Sequence, residues 1–383
     1  MSQPPLSDTP EARRYNRISR RLGLADLGLG LVLMLLLLIT DWSRGLRDLS
    51  LHLAGGENFV FALLIYVFTL AVIGKVAGFG LDYYSFRLEH EYHLSNQKRR
   101  AWIWDQFKAF WVGFGISLVL AELLYFLIRN APQWWWVIAW LAFLVLFVVF
   151  VQIAPVVLFP IFYKYETLKN EQLRERLTRL SEQAGTRVRG VYEWMLSEKS
   201  KKANAALMGL GATRRIVLSD TLLANYTDDE IEAVLAHELG HHHHRHILKS
   251  FVVQAIVTFV GFWALKYVLR WSWMDRHWFI SQYDFANLPL VILLVTAISV
   301  VLMPVMNAYS RWNERQADLY AWKAIPSVEP FVSAMQKLAE QNLAEQHPSR
   351  LVEVLFHSHP PIAKRIAAAR AWESRRVAPG AGS

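Results

Sequence analysis

The chain has 383 residues, of which 54% are hydrophobic and 19% charged, and its mean hydropathy is only +0.21. This mixture excludes an ordinary soluble domain and a bundle made only of membrane helices, so we expect one part to span a bilayer and another to lie outside it. The net charge of +9 comes from basic residues on span flanks and amphipathic helices without a nucleic-acid motif, which predicts membrane lipids rather than nucleic acid as partners. The lack of cysteine excludes disulfides, thiolate metal ligands and a cysteine nucleophile.

Six apolar stretches of about twenty residues are each long enough to cross a bilayer. They are residues 22–40, 58–80, 105–128, 134–160, 248–269 and 287–309. The first is too long, and is followed by too many others, to be a cleaved signal peptide. We therefore predict four transmembrane helices within residues 22–160 and two more within 248–309.

Lysine and arginine are concentrated at alternate ends of these spans. Before the first span come Arg13, Arg14, Arg17, Arg20 and Arg21, and after the second come Arg87, Lys98, Arg99 and Arg100. Short loops rich in basic residues stay cytoplasmic, and the loops after the first, third and fifth spans carry fewer of them. We therefore expect residues 1–21, 161–247 and 310–373 to be cytoplasmic, the first of these being partly disordered.

Residues 161–247 form a predicted soluble insert between the fourth and fifth spans. An amphipathic helix near 168–184 carries a stripe of three leucines. Strand-like runs follow near 188–196, 203–208 and 215–219. The proline- and glycine-containing end, residues 374–383, and residues 1–11 are predicted to be disordered.

The insert ends in His237-Glu238-Leu239-Gly240-His241. Thr227 to Glu230 form a predicted capping box, and apolar residues then recur at helical spacing, so this motif lies on a helix that we expect to run on into the fifth span. Residues four apart share a helix face, so the two histidines present neutral nitrogens to one tetrahedral zinc ion. Glu238 lies beside them as a candidate general base.

A catalytic zinc site needs a third protein ligand. Glu314 and Asp318 lie four residues apart on a helix predicted just after the sixth span. Glu314 would complete the set of ligands while Asp318 accepts the remaining N–H of a ligand histidine. The alternative, which spacing alone favours, is that both are solvated carboxylates on a cytoplasmic helix.

Several motifs stand in a fixed order along residues 80–370. They are Pro160-Ile161-Phe162-Tyr163-Lys164, Ser200 to Ala205, Arg215 to Leu223, His237 to His241, Glu314-x-x-Ala317-Asp318, Ser358-His359-Pro360-Pro361 and Arg365. Together they resemble the type I CAAX prenyl protease family of integral-membrane zinc metallopeptidases, in its bacterial form. With the six apolar stretches, the resemblance predicts a mainly α fold, a polytopic bundle of about six spans with a small α+β zincin-like cytoplasmic catalytic domain.

The same resemblance implies one zinc ion per chain, bound by His237, His241 and Glu314, with Glu238 as general base and Asp318 supporting a ligand from behind. It also places four residues in catalysis or the substrate cleft. These are Asn204, Ala205, His359 and Arg365.

The substrate is predicted to bind as an added strand along the edge near Ala203 to Leu207. Asn204 would anchor its backbone, although an ordinary turn-forming asparagine is nearly as consistent with the sequence. His359 would donate to the developing oxyanion, the alternative being a turn histidine without a partner. The run from His242 to His246 is interpreted as interfacial histidines that bind metal weakly.

The chain departs from the eukaryotic members of that family in two respects. It has six predicted spans where they usually have seven, and Ala206, Leu207 and Met208 replace the aromatic residues often found there. A peptide or membrane-protein substrate is therefore predicted, lipidated or not. The missing seventh span and the lack of an endoplasmic-reticulum retrieval signal favour a bacterial inner membrane, the endoplasmic reticulum membrane being the alternative, and the basic residues predict that the site faces the cytoplasm.

The predicted function is a membrane-embedded, zinc-dependent endopeptidase acting near the cytoplasmic face. The first alternative is a non-catalytic, metal-binding scaffold or transporter, although a structural zinc usually has four closed ligands. The second is an intramembrane protease, although here the histidine motif lies in polar sequence before a span.

Overall fold

The computed structural model describes residues 8–209, 211–271 and 281–377. Its elements are α1 (Pro10–Ile39), α2 (Trp42–Leu53), α3 (Phe59–Glu91), α4 (Arg99–Asn130), α5 (Trp135–Ile153), α6 (Phe159–Phe162), β1 (Tyr165–Thr167), α7 (Glu171–Gln183), β2 (Val191–Trp194), β3 (Ala205–Met208), β4 (Arg215–Ser219), α8 (Asp220–Asn225), α9 (Asp228–His243), α10 (His246–Arg270), α11 (Leu288–Ala324), α12 (Glu329–Gln341), α13 (Arg350–Phe356) and α14 (Ile362–Val377). A π-helical turn, Ala154–Leu158, joins α5 to α6, and a 3-10 turn, Phe285–Asn287, precedes α11.

Six helical segments in the described part of the chain are long and apolar enough to cross a membrane. They are Pro10–Ile39, Phe59–Glu91, Arg99–Asn130, Trp135–Phe162, His246–Arg270 and Phe285–Ala324. The predicted mainly α fold with about six spans and a small sheet is therefore confirmed.

The first helix begins at Pro10, well before the apolar stretch itself. Thr9 caps it, because its hydroxyl accepts from the backbone N–H of Ala12 at 3.0 Å, and proline is favourable in the first helical turn. Residues 10 and 11, predicted to be disordered, are therefore helical. These first turns also contact the C-terminal part of the chain, since Asn16 donates to the Leu343 carbonyl at 2.7 Å.

Helix α2 has 12 residues and so spans about 18 Å, less than the ~30 Å hydrocarbon core of a bilayer. The Ser43 hydroxyl lies 2.6 Å from both the Ala286 carbonyl, to which it donates, and the Tyr66 hydroxyl. These bonds attach α2 to α3 and to the start of the sixth span. Aromatic side chains continue this core between the spans, among them the fully buried Tyr125, Trp135 and Phe285.

The soluble part contains a four-stranded sheet with the order β1-β2-β4-β3. β2 and β4 are parallel, and the other two pairs are antiparallel. β4 has the predicted bounds, whereas β2 and β3 are shorter than predicted. β1 was not predicted, because three residues are too few to show an alternating pattern. The edge position of β3 leaves one of its sides without a neighbouring strand in this sheet.

Helices α7 and α9 pack with this sheet around one apolar core. Its members include Leu173, Leu177, Ile216, Leu235 and Phe331. Asn170 caps α7 by accepting from the Leu173 N–H at 3.0 Å, and Gly185 follows its end with a positive φ of 69°. The core therefore supports α9 from the side of the sheet.

The helix expected to run from the histidine motif into the fifth span is interrupted. α9 ends at His243, and Arg245 adopts a left-handed φ of 53° before α10 begins at His246. In contrast, α11 continues without a break from the sixth span to Ala324. α14 reaches Val377, so residues 374–377 of the predicted disordered tail are helical, and residues 378–383 lie outside the described part.

Candidate active site

His237 and His241 lie one turn apart on α9, and their Nε2 atoms are 3.3 Å apart. The predicted capping box is present where this helix begins. Thr227 accepts from the Glu230 N–H, and the Glu230 carboxylate accepts from the Thr227 N–H. The helix start is therefore stabilised by local bonds, and the two imidazoles share one face.

Glu314 reaches the same point from α11. Its Oε2 lies 3.3 Å from His237 Nε2, and its Oε1 lies 3.2 Å from His241 Nε2. One nitrogen of each histidine and one oxygen of Glu314 all lie within 4.8 Å of one another. The structure thus brings together the three residues that the sequence proposed as metal ligands.

Gly240 allows α9 and α11 to come this close. A Cβ at this position would lie 2.8 Å from both the Cα and the carbonyl oxygen of Ala317, which are backbone atoms that cannot swing away. The requirement for glycine is therefore one of close helix packing, since its φ is not positive. From the sequence alone, Gly240 was given no role.

Asp318 lies behind His237, with its Oδ1 2.9 Å from His237 Nδ1. The buried Arg365 donates to both oxygens of Asp318, from Nε at 2.9 Å and from a terminal nitrogen at 2.6 Å. Arg365 was predicted to lie in the substrate cleft. In the structure it is buried behind His237, bound to Asp318. The guanidinium is 9% exposed and clamps the carboxylate that orients His237.

The pKa of His237 reflects these partners. Burial of the ring would lower it, but hydrogen bonds with Asp318 and Glu314 outweigh burial and raise the pKa of His237 to about 9. The two carboxylates therefore attract positive charge to this point.

The side chains present fit a bound divalent metal ion. Two imidazole nitrogens and one carboxylate oxygen are ligands typical of catalytic zinc. Glu314 Oε2 is buried and faces His237 Nε2 at 3.3 Å, so a cation bound between these two atoms would be held by both. The carboxylates of Glu238, Glu314 and Asp318 outnumber the single guanidinium of Arg365, and this excess of negative charge suits a dication.

Glu238 follows the first histidine on α9 and is half-buried. Burial raises the pKa of its carboxyl, and the neighbouring His237 and His241 partly oppose this shift. Its carboxylate makes no hydrogen bond to any described residue, so both oxygens remain available as proton acceptors. A carboxylate of raised pKa beside a metal site is suited to general base catalysis.

His359 lies on the open side of the cluster, with its Nε2 3.3 Å from Glu314 Oε1 and its side chain 60% exposed. Its position depends on α11. The buried Arg311 donates to the carbonyls of Glu353 at 3.0 Å and His357 at 2.7 Å, which holds the end of α13 just before His359. Sequence reasoning missed Arg311, because a basic residue after a span normally indicates only orientation.

Asn204 and Ala205 lie at the start of the edge strand β3, which packs beside α9. The Asn204 N–H donates to Ser219 Oγ and its carbonyl accepts from the Ser219 N–H, both at 3.0 Å. The Asn204 side chain is exposed and makes no hydrogen bond to a described residue. This strand edge therefore lies close to the helix that carries the two histidines.

His246 differs from the interfacial histidine that the sequence suggested. It is 4% exposed, its Nδ1 lies 3.0 Å from His241 Nδ1, and its Nε2 lies 2.9 Å from Gln316 Oε1. The backbone corner at Arg245 causes the difference, because it folds the start of α10 back over the end of α9. Helical periodicity alone could not show such a corner.

Comparison with known proteins identifies the family. Residues 167–373, more than half of the chain, match the model of peptidase family M48. This chain belongs to peptidase family M48. Residues 5–164 also match a model described as CAAX prenyl protease N-terminal, five membrane helices. Helices α1 to α6 occupy the described part of that region here; α5 and α6 together form one span, and α2 is too short to cross a bilayer.

Several known proteins are similar to this chain over most of their length. An uncharacterized metalloprotease of Bacillus subtilis (strain 168) is 31% identical, covering 94% of this chain and 85% of that protein. CAAX prenyl protease 1 of Saccharomyces cerevisiae is 28% identical, covering 80% and 71%. The crystal structure of S. mikatae Ste24p superposes with a TM-score of 0.83 at 25% identity, covering 94% of this chain and 87% of that one.

These findings confirm the predicted family and the predicted class of enzyme. The protein is an integral-membrane metallopeptidase of family M48. The membrane protease is thereby favoured over the scaffold or transporter considered from the sequence. Family membership also implies that a metal ion is bound.

Proposed function

We propose that this M48 peptidase is a zinc-dependent endopeptidase with one zinc per chain, held by His237, His241 and Glu314. The observation that carries the proposal is the convergence of their three donor atoms within 4.8 Å, on two helices that a glycine contact holds together. When bound, the ion supplies Lewis-acid chemistry, since it acidifies a water molecule and polarises the carbonyl to be cleaved.

The protein's own residues perform the proton transfers in this proposal. Glu238 takes a proton from the attacking water and delivers it to the leaving amine, which its unpaired carboxylate and raised pKa support. His359 donates from the open side of the cluster to the negative charge that develops on the carbonyl oxygen. Asp318 accepts from His237 Nδ1, so that His237 Nε2 presents its lone pair to the metal.

The substrate is an extended peptide that adds to the free edge of β3. Main-chain hydrogen bonds to β3 give affinity without requiring one particular sequence, and Asn204 binds the substrate backbone with its unpaired amide. The position of β3 beside α9 supports this, because a peptide on that edge passes the two histidines. The named relatives include CAAX prenyl proteases, which supports tails of membrane proteins as substrates, lipidated or not.

The active site faces the cytoplasm, and the protein belongs to a bacterial inner membrane. A contact of α1 and the basic residues on it support this orientation. The first turns of α1, rich in arginine, contact the loop at Leu343 that follows α12, so the N-terminus and the catalytic part lie on one side of the spans. Basic flanks of this kind are retained in the cytoplasm. The similarity to the Bacillus subtilis metalloprotease supports the bacterial setting.

Substitution of Glu238 tests the catalytic proposal. We expect Glu238→Gln to keep its metal and to lose about 100-fold or more of the cleavage rate, since a positioned base contributes about 10²–10⁴-fold. Cleavage of an unfolded fluorescent casein by the purified protein gives the rate, and elemental analysis gives the metal. Glu232→Gln, the same change on the same helix but at an ion pair with Arg176, is the control and should cleave normally. Wild-type cleavage by Glu238→Gln would refute the base assignment.

Metal exchange tests the choice of zinc. The purified protein should contain close to one zinc per chain, lose cleavage after dialysis against a chelator, and regain it on addition of zinc. Recovery with manganese but not with zinc would overturn the zinc assignment and leave the metallopeptidase assignment in place. Zinc binding that persists in a His237→Ala, Glu314→Gln double variant would overturn the proposed ligands.

A further inference from the structure

His241 has two ring nitrogens, and both have partners within the protein. Nε2 lies beside His237 and Glu314, in the proposed metal site. Nδ1 points the other way, 3.0 Å from Nδ1 of His246, and Nε2 of His246 lies 2.9 Å from Gln316 Oε1. The result is a continuous chain of side chains from the metal site through His246 to α11.

A continuous helix could not bring these two histidines together. Residues five apart on an α-helix lie about 140° apart around its axis, so they point to different sides. Contact is made because Arg245 takes a left-handed conformation, with φ of 53°, between α9 and α10. Residues other than glycine and asparagine seldom adopt this conformation. At Arg245 it turns the chain so that His246 reaches His241.

The position of each proton in this chain follows from the metal site. A neutral imidazole that gives the Nε2 lone pair to a metal carries its proton on Nδ1. His241 Nδ1–H therefore donates to His246 Nδ1, which must be the unprotonated nitrogen of its ring. His246 Nε2–H then donates to the oxygen of Gln316. Every ring nitrogen has one role, and none is left without a partner.

The two proposed histidine ligands are thus supported in different ways from the same helix. Asp318 accepts directly from His237, whereas Gln316 supports His241 through His246. Glu314, Gln316 and Asp318 lie at every second position of α11. His246 and Gln316, which support His241, are uncharged in this arrangement. They orient its ring without adding a carboxylate to those of Glu238, Glu314 and Asp318.

We propose that His246 and Gln316 are positioning residues that hold His241 in its metal-binding tautomer and orientation. The inference rests on the proposed role of His241 as a metal ligand. Neither residue contacts the reacting atoms in this scheme, so both act through His241. Partners behind a ligand histidine typically contribute about 10–100-fold to metal affinity or activity.

Zinc affinity measured by competition with a chromogenic chelator at constant pH tests the proposal. We expect His246→Leu to bind zinc about 10–100-fold more weakly than the wild type. His246→Asn, whose amide oxygen can still accept from His241, should recover part of the loss. His243→Ala is the control, because His243 is exposed and belongs to the same histidine run, and it should bind zinc as the wild type does.

Gln316→Leu provides a second variant that leaves both histidines intact. We expect a smaller loss of zinc affinity, and a His246→Leu, Gln316→Leu double variant no weaker than His246→Leu alone, because the two residues act through one chain. The visible spectrum of the cobalt-loaded protein should change in His246→Leu, since the ligand geometry changes. Thermal unfolding without metal separates this effect from a general loss of stability.

Wild-type zinc affinity in His246→Leu would overturn the proposal. It would also be overturned if the loss of zinc affinity in the double variant equalled the sum of the losses in the two single variants. If His246→Leu does not fold, an unchanged affinity in Gln316→Leu would overturn it equally. These results differ from a failure of the proposed function itself. In that case the wild-type protein would not bind zinc, or His241→Ala would bind it normally.

Discussion

At the scale of single residues, the site depends on what lies behind each proposed ligand. His237 is backed by Asp318, and Asp318 is in turn held by two hydrogen bonds from Arg365. The carboxylate thus links an imidazole to a guanidinium that is buried nearly completely. Removing the charge of Asp318 should therefore weaken metal binding and lower the stability of the fold.

Asp318→Asn should bind zinc about 10–100-fold more weakly, because the amide cannot match a carboxylate as acceptor for His237. Arg365 would remain buried without an anionic partner, and breaking a buried pair in this way costs about 3–5 kcal/mol. Chelator competition and thermal unfolding measure the two effects. Asp229→Asn, at an exposed carboxylate on α9, is the control. Unchanged zinc affinity in Asp318→Asn would contradict this account of His237.

At the scale of elements, the site depends on how closely α9 and α11 approach. Gly240 faces the backbone of Ala317 in the turn after Glu314, so the same contact that packs the helices sets the distance from Glu314 to the histidines. The glycine in the histidine motif therefore shapes the proposed metal site, although it donates no atom to it.

Gly240→Ala should separate the two helices, because the added methyl group would lie 2.8 Å from backbone atoms of Ala317. We expect zinc affinity to fall at least about 10-fold, since ligand geometry tolerates only small displacements. Zinc competition measures the loss. Gly113→Ala, on α4 with no atom within 4 Å of the new methyl group, should bind zinc normally. Normal zinc binding by both variants would show that the close contact is dispensable.

The start of α9 has its own pH dependence. Burial would raise the pKa of Glu230, but hydrogen bonds from Lys337, Ser333 and the Thr227 N–H outweigh it and lower the pKa. Because the folded pKa is below the unfolded one, the resulting stability is present above about pH 4.3 and is lost as the pH falls through the folded pKa. Glu230→Gln should lower stability at pH 7 by about 1.5–3 kcal/mol and flatten this acid dependence. If the free energy of unfolding of the wild type and of Glu230→Gln changed in parallel across acid pH, this role of Glu230 would be contradicted.

At the scale of the whole molecule, contacts at the ends of the spans hold distant segments of the chain together on one side of the membrane-spanning helices. The N-terminal turns of α1 contact Leu343 through Asn16, and Tyr15 and Lys202 both bond to Glu89 at the end of α3. Lys202 precedes the edge strand β3 by only a few residues. The catalytic part is therefore joined to the membrane part by polar contacts as well as by the chain itself.

The natural absence of cysteine allows a direct test of orientation. A membrane-impermeant thiol reagent should label Glu57→Cys, in the exposed loop between α2 and α3, in intact bacterial cells. Glu182→Cys, exposed on α7, should be labelled only after the cells are permeabilised. The opposite pattern would place the catalytic part outside the cell and overturn the proposed cytoplasmic orientation.

Features that depend on neighbouring residues could be predicted from the sequence. The six apolar spans, the capping box from Thr227 to Glu230 and the bounds of β4 follow from hydropathy, local hydrogen bonds and alternation. The start of α1 was misjudged despite a local signal, since Thr9 and Pro10 form an ordinary helix start within a polar segment.

Only the tertiary structure decided which distant side chains meet. Glu314 reaches the histidines because α11 packs on Gly240, Arg365 turns to Asp318, and His246 folds back at Arg245. None of these contacts leaves a periodic signal, because each joins segments whose local preferences are satisfied without it. The sequence by itself determined the chemistry available to this protein, namely the residue types and the helices that carry them. The packing of α9 on α11 determined that this chemistry converges on one point.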